Sequence, residues 1–265
     1  MSVLQWIALI ILAITPVIIW AVLLLRGTKE HKALLLKVFC WGAVATLPLL
    51  LYRYSWQIFP ELNVFAWLNS MSSVGGVSLL AIPLPLLISF LLIGLTEEVV
   101  KSLVLRYKVP TKEIKSPPEA IEYSIAIALG FAFVENISYF AEVYTHYDGK
   151  VLIGIFISRT IFATFAHILF SSLFGYYYGV AVLAKKVIKE RQRYQVRAVL
   201  WLKSKFPSLN KVELFAKEEL FLGLMYAALT HAAYNIFLEL QLTYLLVPFL
   251  LLGSIELKRL RNIRD

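Results

Sequence analysis

Residues 120–141 read AIEYSIAIALGFAFVENISYFA. These 22 positions are the length an α-helix needs to cross the hydrocarbon core of a bilayer. They show no polar stripe that would suit a helix lying on the surface of a soluble domain. Yet Glu135 and Asn136 stand side by side deep within the run. A carboxylate in that position is costly in lipid unless another segment supplies its partners. The stretch therefore predicts a membrane-spanning helix whose polar pair belongs to a site shared with other helices.

Six more apolar runs flank it: Val3–Leu25, Leu34–Tyr52, Ser78–Leu95, Val151–Ala184, Leu220–Leu238 and Leu242–Ile255. The 265 residues are 60% hydrophobic and 16% charged, and the mean hydropathy is +0.74. An ordinary soluble domain has about 45–50% apolar residues, so a cytosolic globule and a disordered chain are both excluded. The expected fold is an all-α, polytopic bundle of seven spans, forming one domain over 1–265 with a catalytic core at about 78–240. The first run lacks a basic flank and a small-residue cleavage site, so it reads as a retained helix. The lone cysteine, Cys40, excludes an intramolecular disulfide and a cysteine metal cluster.

Positive charge sets the orientation. Of the 26 Lys and Arg residues, 22 fall in loops or tails on one side of a seven-span arrangement. Only Arg53 and Lys150 fall on the other, while Lys101 and Arg159 lie in or beside spans. The rich side is expected to be cytoplasmic, placing the N-terminus outside and the C-terminus inside. The net charge of +9 is then topological, facing anionic headgroups rather than nucleic acid. The basic loop 185–217 also carries Val196, Leu200, Trp201 and Phe206, and reads as an amphipathic segment on the membrane surface. Trp56, Phe59, Phe65 and Trp67, in the loop 53–77, read as an interfacial aromatic belt.

Polar residues recur inside four spans. Glu97, Glu98 and Lys101 end the third, and Glu135 and Asn136 lie in the fourth. Arg159 and His167, with Ser171 and Ser172, lie in the fifth, and His231 and Asn235 in the sixth. His31 and His146 fall in loops and read as solvated. Counted from borders at Glu119, Ala184 and Lys217, Glu135, His167 and His231 lie 16, 17 and 14 residues deep. At about 1.5 Å per residue, all three reach roughly the same level, 21–26 Å in. Glu97 or Glu98 with Lys101, at i, i+4 or i, i+3, suits a helix ion pair, and the serines and Gly175–Gly179 suit close packing. Two imidazoles and a carboxylate at one depth make the three-ligand set of a catalytic zinc site, and a further carboxylate would serve as general base. The same groups also suit proton or ion transfer.

The order Glu-Glu-x-x-Lys, Phe-x-x-x-Glu-Asn, then Arg with His and Ser on one helix, then His-x-x-x-Asn resembles the PrsW family. These are intramembrane metalloproteases related to the CAAX prenyl endopeptidase and to bacteriocin-processing proteins. The resemblance implies an endopeptidase of the plasma membrane. Its base is Glu97 or Glu98, with Glu97 preferred, and its zinc ligands are Glu135, His167 and His231. Asn235 polarises the scissile carbonyl, while Lys101, Asn136 and Arg159 support the ligands. The implied partner is a membrane-anchored protein or peptide, either anti-sigma-factor-like or lipid-modified. One departure stands out: Glu119-Ala120 occupies the place where the pattern has Asp-Gly. Two rival functions use the same residues. One is a cation or proton transporter, against which no paired inverted halves are visible; the other is a non-catalytic scaffold of protease descent.

Overall fold

The computed structural model describes residues 1–27, 32–71, 78–79, 82–190 and 210–262. The helices are α1 Val3–Leu25, α2 Lys32–Ile58, α3 Val64–Met71, α4 Leu84–Lys108 and α5 Pro117–His146. They continue with α6 Gly149–Ser158, α7 Thr164–Val182, α8 Ala184–Glu190, α9 Lys211–Glu239 and α10 Thr243–Arg261. A π-helical turn, Arg159–Ala163, joins α6 to α7. A minimal antiparallel pair, Ser78–Leu79 with Ile82–Pro83, precedes α4. The all-α bundle expected from the sequence is the observed architecture.

The helix ends follow local chemistry. Ser2 and Gln5 close a capping box at the start of α1. Asp148 caps α6 by accepting from the backbone N–H groups of Lys150 and Val151. Pro117 opens α5, where its missing N–H costs nothing. Glu119 Oε2 accepts from the Lys115 backbone N–H at 2.7 Å, and Ala120 is fully buried. The turn that departs from the Asp-Gly pattern is thus closed by a carboxylate. At the end of α9 the chain reverses through Gln241 (φ 56°). Leu242 N–H bonds to Phe237 O and Gln241 N–H to Leu238 O, the paired bonds of a Schellman ending.

Among the described residues, five helices are long and apolar enough to cross a membrane: α1, α2, α5, the continuous rod Gly149–Val182, and α9. The two other expected spans correspond to α4 and α10. The first carries Glu97, Glu98 and Lys101, and the second Glu256, Lys258, Arg259 and Arg261, so neither reads as purely apolar. α4 also begins at Leu84 and runs past Leu95 to Lys108, further than the apolar run alone suggested. Most of the basic loop, 191–209, and His31 lie outside the described residues.

α5 is the central helix. Ile121, Ile125, Ala128 and Leu129 pack toward α1, α7 and α10, while Tyr123, Ala126 and Ile127 pack toward α2 and α4. Close approach depends on small residues, as expected where lipid offers no hydrophobic drive between helices. A Cβ on Gly42 of α2 would lie 2.2 Å from Ile127 O, and one on Gly130 of α5 would lie 2.0 Å from Phe39 O. The two backbones therefore touch reciprocally. Gly94 does the same between α4 and α9, 2.9 Å from Ala228 O. This contact sits one turn from Glu97 and Glu98 and one turn from His231, so it sets the spacing of the site. Outward faces carry exposed Ile11, Leu23, Leu51, Ile153, Phe221 and Ile255, as lipid-facing surfaces do.

Candidate active site

Four helices deliver polar side chains to one place. From α4, Glu98 is 1% exposed and turns inward, where Lys101 Nζ donates to its Oε1 at 2.6 Å. Ser171 Oγ from α7 donates to its second oxygen at 3.4 Å. His231 Nδ1 from α9 donates to Glu98 Oε1 at 3.0 Å. Glu98 thus ties three helices together. Its neighbour Glu97 is rotated about 100° around the helix and faces the cavity instead. Its Oε2 is buried and makes no hydrogen bond. The closest charged or ring atoms are His231 Nε2 at 3.7 Å and Lys101 Nζ at 4.0 Å.

From α5, Glu135 Oε2 accepts from Arg159 Nη2 at 2.7 Å and lies 2.8 Å from His167 Nε2. Asn136 Oδ1 accepts from Arg159 Nε at 2.5 Å, and its amide donates to Thr164 Oγ1 at 3.3 Å. Arg159 also lies over the Tyr139 ring, 3.9 Å from its centroid. This arginine sits in the π-turn, where Thr164 N–H reaches back five residues to Arg159 O. Such turns recur at functional sites because they re-aim side chains within a continuous helix.

The partners decide the proton positions of both imidazoles. Lysine only donates, so the contact of Lys101 Nζ with His167 Nδ1 at 3.1 Å makes Nδ1 an acceptor. A neutral His167 then carries its proton on Nε2 and donates it to Glu135. His231 is the opposite case: Nδ1–H is spent on Glu98, and Nε2 presents a lone pair toward Glu97. The two rings lie 5.4 Å apart, nearly perpendicular, and Phe170 stacks on His231 at 4.8 Å.

Ligand atoms of Glu97, His167 and His231 all lie within 4.8 Å of one another. Glu135 Oε2 abuts His167, and Glu97 Oε2 is a buried acceptor without a donor. Two imidazoles with a carboxylate suit zinc in type, and His231, held by Glu98 through Nδ1, could offer Nε2 to it. His167 would offer Nε2 if its proton moved to Nδ1, which Lys101 faces at 3.1 Å. The two histidines and a carboxylate fit the metal; Glu97 is the carboxylate grouped with both rings, whereas the expected Glu135 touches His167 alone.

All the sequence-predicted site residues converge. Glu97, Glu135, Arg159, His167, His231 and Asn235 border one cavity of about 300 Å³. Glu98, Lys101 and Asn136 stand behind them, buried. Glu97 sits level with the histidines. Ser171 is also more than packing, since it holds Glu98. Sequence reasoning missed Tyr139, Phe170 and Tyr234, which line the same cavity. The available signal was spacing: Tyr139 is one turn beyond Glu135, and Phe170 three residues beyond His167.

The family model described as PrsW family intramembrane metalloprotease matches residues 30–206. Protease PrsW of Clostridioides difficile (strain 630) is 29% identical over 174 residues, covering 64% of this chain and 64% of its own length. Protease PrsW of Shouchella clausii (strain KSM-K16) is 28% identical over 181 residues, covering 66% and 70%. That of Geobacillus kaustophilus (strain HTA426) is 28% identical over 207 residues, covering 77% and 78%. No solved structure matches the chain. The matched family region holds Glu97, Glu98, Lys101, Glu135, Asn136, Arg159 and His167, and α9 adds His231 and Asn235 to the same cavity. With this match over two thirds of its length, the chain belongs to the PrsW family of intramembrane metalloproteases.

Proposed function

We propose that this protein is an intramembrane or juxtamembrane endopeptidase that hydrolyses membrane-anchored protein or peptide substrates. The observation that carries this reading is the convergence of two carboxylates, two histidines and an asparagine on one cavity inside an apolar bundle. Glu97 is the general base. It faces the cavity, and its Oε2 has no hydrogen bond to break before accepting a proton from the attacking water. Asn235 lies one turn from His231 on the same wall, and its amide donates to the carbonyl oxygen as negative charge develops there. Glu98 is a positioning residue that holds His231 and Lys101.

Zinc held by Glu135, His167 and His231 would supply Lewis-acid polarisation of the carbonyl. Arg159 keeps Glu135 oriented for that duty, whereas Glu97 has no such clamp and is free to shuttle a proton. The whole chain works as one integral membrane unit, with its core at about 78–240. The Lys/Arg-rich ends of α4, α9 and α10 face the cytoplasm. The site then lies nearer the opposite surface, with His231 eight residues from the end of α9, or about 12 Å. The substrate is a single-span protein or lipid-modified peptide whose cleaved bond comes to that depth.

The test is cleavage in proteoliposomes by the purified protein and by Glu97→Gln, alongside zinc analysis of both. Loss of cleavage in Glu97→Gln with the fold intact supports the reading. Cleavage persisting in that variant sinks it.

A further inference from the structure

A second chamber, of about 400 Å³, lies against the reaction cavity. The two share Ile93, Glu97, Glu135 and Tyr139 as a common wall, so the carboxylates stand at the boundary of both spaces. The chambers differ in chemistry. The reaction cavity is lined by Arg159, both histidines, Asn235 and Glu239. The second is walled by Leu49, Leu50, Trp56, Phe65 and Phe131, and carries Arg53 among its lining residues.

Its aromatic end is built. The Trp56 ring meets Phe65 edge-on at 5.5 Å and Tyr52 edge-on at 5.3 Å. Arg53 is tied to Glu142 at 2.9 Å and leans over Tyr139 at 5.8 Å. Trp56 Nε1 is buried without a hydrogen-bond partner. An indole N–H can only donate, and burying it unpaired costs free energy. A donor held in that state beside a cavity suits a ligand that brings a carbonyl. Along α5 the chamber extends from Phe131 to Tyr139, eight residues, or about 12 Å of helix rise. At about 3.3 Å per residue, an extended strand of three to four residues covers that distance.

We infer that this chamber is the specificity subsite of the peptidase. It takes the extended segment on one side of the scissile bond, with a large apolar side chain between Trp56 and Phe65 and a main-chain carbonyl accepting from Trp56 Nε1. The inference rests on the peptidase reading and names the substrate feature it selects. Two shared carboxylates at the floor disfavour an acidic residue there, while the aromatic walls reward an aromatic or branched aliphatic one. The segment on the other side of the bond lies in the polar cavity past Asn235 toward Glu239.

The test uses the full-length protein in proteoliposomes and a mixture of synthetic apolar peptides, with products sequenced by mass spectrometry. Wild type should cut at a fixed distance from an aromatic or large aliphatic residue. Trp56→Ala should lose that preference, with kcat/KM for such peptides falling roughly tenfold to a hundredfold, mostly through KM. Trp56→Phe should retain the side-chain preference and lose only the donor's share. Peptides with small residues at that position should show the same modest loss in Trp56→Ala as in Trp56→Phe, because both variants lack the indole donor and neither loses a side-chain contact with them. If wild type shows no preference, or Trp56→Ala keeps it, the subsite assignment falls while the peptidase stands. If Glu97→Gln cuts as well as wild type, the peptidase reading itself falls. A second readout needs no turnover. A benzophenone amino acid at Phe65 in the Glu97→Gln protein should capture the peptide, and capture of lipid alone overturns the assignment.

Discussion

Replacing Arg159 by Met keeps the bulk of the side chain but removes its charge and every donor. Arg159 and Glu135 are only 12% and 16% exposed, and their contact is 2.7 Å. Removing one member of a buried pair strands the other charge and typically costs about 3–5 kcal/mol. At about 2–4 °C per kcal/mol for a chain of this size, the fall in Tm is roughly 6–20 °C. Most of that cost is the orphaned Glu135. Adding Glu135→Gln to Arg159→Met should therefore raise Tm again, by at least half of the loss. Gln still offers an oxygen to His167 Nε2, so the packing around the ring survives. Cleavage should stay abolished in the double variant, because stability returns without the carboxylate. Thermal unfolding in detergent, followed by tryptophan fluorescence and paired with the proteoliposome assay, measures both. If Arg159→Met melts within about 2 °C of the parent, or the double variant melts below the single, the ion pair does not hold this part of the site.

Glu97→Gln should lower kcat by about 10²–10⁴ and keep its zinc, whereas Glu135→Gln and His167→Ala should lose both. Zinc content falling equally in Glu97→Gln would make Glu97 the coordinating carboxylate. A chelator should inhibit cleavage and added zinc should restore it; activity indifferent to both would remove the metal from the reaction. With exposed Cys40 replaced by Ser, cysteines at Ser116 and Asp148 should react with impermeant reagents from opposite sides of the membrane, Asp148 from outside. Reaction from one side would break the orientation. Gly94→Leu should wedge α4 from α9, where even a Cβ would sit 2.9 Å from Ala228 O. Overpacking of this kind costs about 1–3 kcal/mol, and activity should be lost before the fold, read as kcat against Tm.

Much of the site was legible because ionisable residues inside apolar runs are rare enough to stand out. Glu135, His167 and His231 could be placed at one depth by counting residues along three helices. Glu97 lies nine residues from Arg106, which by helix rise puts it about 14 Å deep and short of the histidines, yet its carboxylate meets both of them. The π-turn at Arg159 left no pattern at all, since its widened ring is a backbone matter and residues 159–163 read as ordinary apolar helix. The division of labour between Glu97 and Glu98 was visible only as a 100° difference in direction. Which of the two faced inward depended on Lys101, Ser171 and His231 meeting from three helices. Trp56 read as a belt residue and Tyr139 drew no notice, because aromatics are common throughout membrane proteins.

The knot formed by Glu98, Lys101 and His231 also bears on how the protein is made. Placing Asp, Lys or Arg at the centre of a spanning segment costs the insertion machinery about 2.5–3.5 kcal/mol each. α4 carries three ionisable residues near its middle, Glu97, Glu98 and Lys101, and is not among the helices apolar enough to cross by composition alone. Glu98 and Lys101 can answer each other as soon as the helix forms. His231, though, is synthesised 133 residues after Glu98, and His167 66 residues after Lys101. Until those imidazoles arrive, α4 is a reluctant passenger at the translocon, held near the interface or sheltered beside α2 and α5. Substitutions at His231 or His167 then carry a second penalty, paid during biogenesis. Such variants should accumulate as chains with α4 outside the bilayer, open to the proteases that clear unassembled membrane proteins.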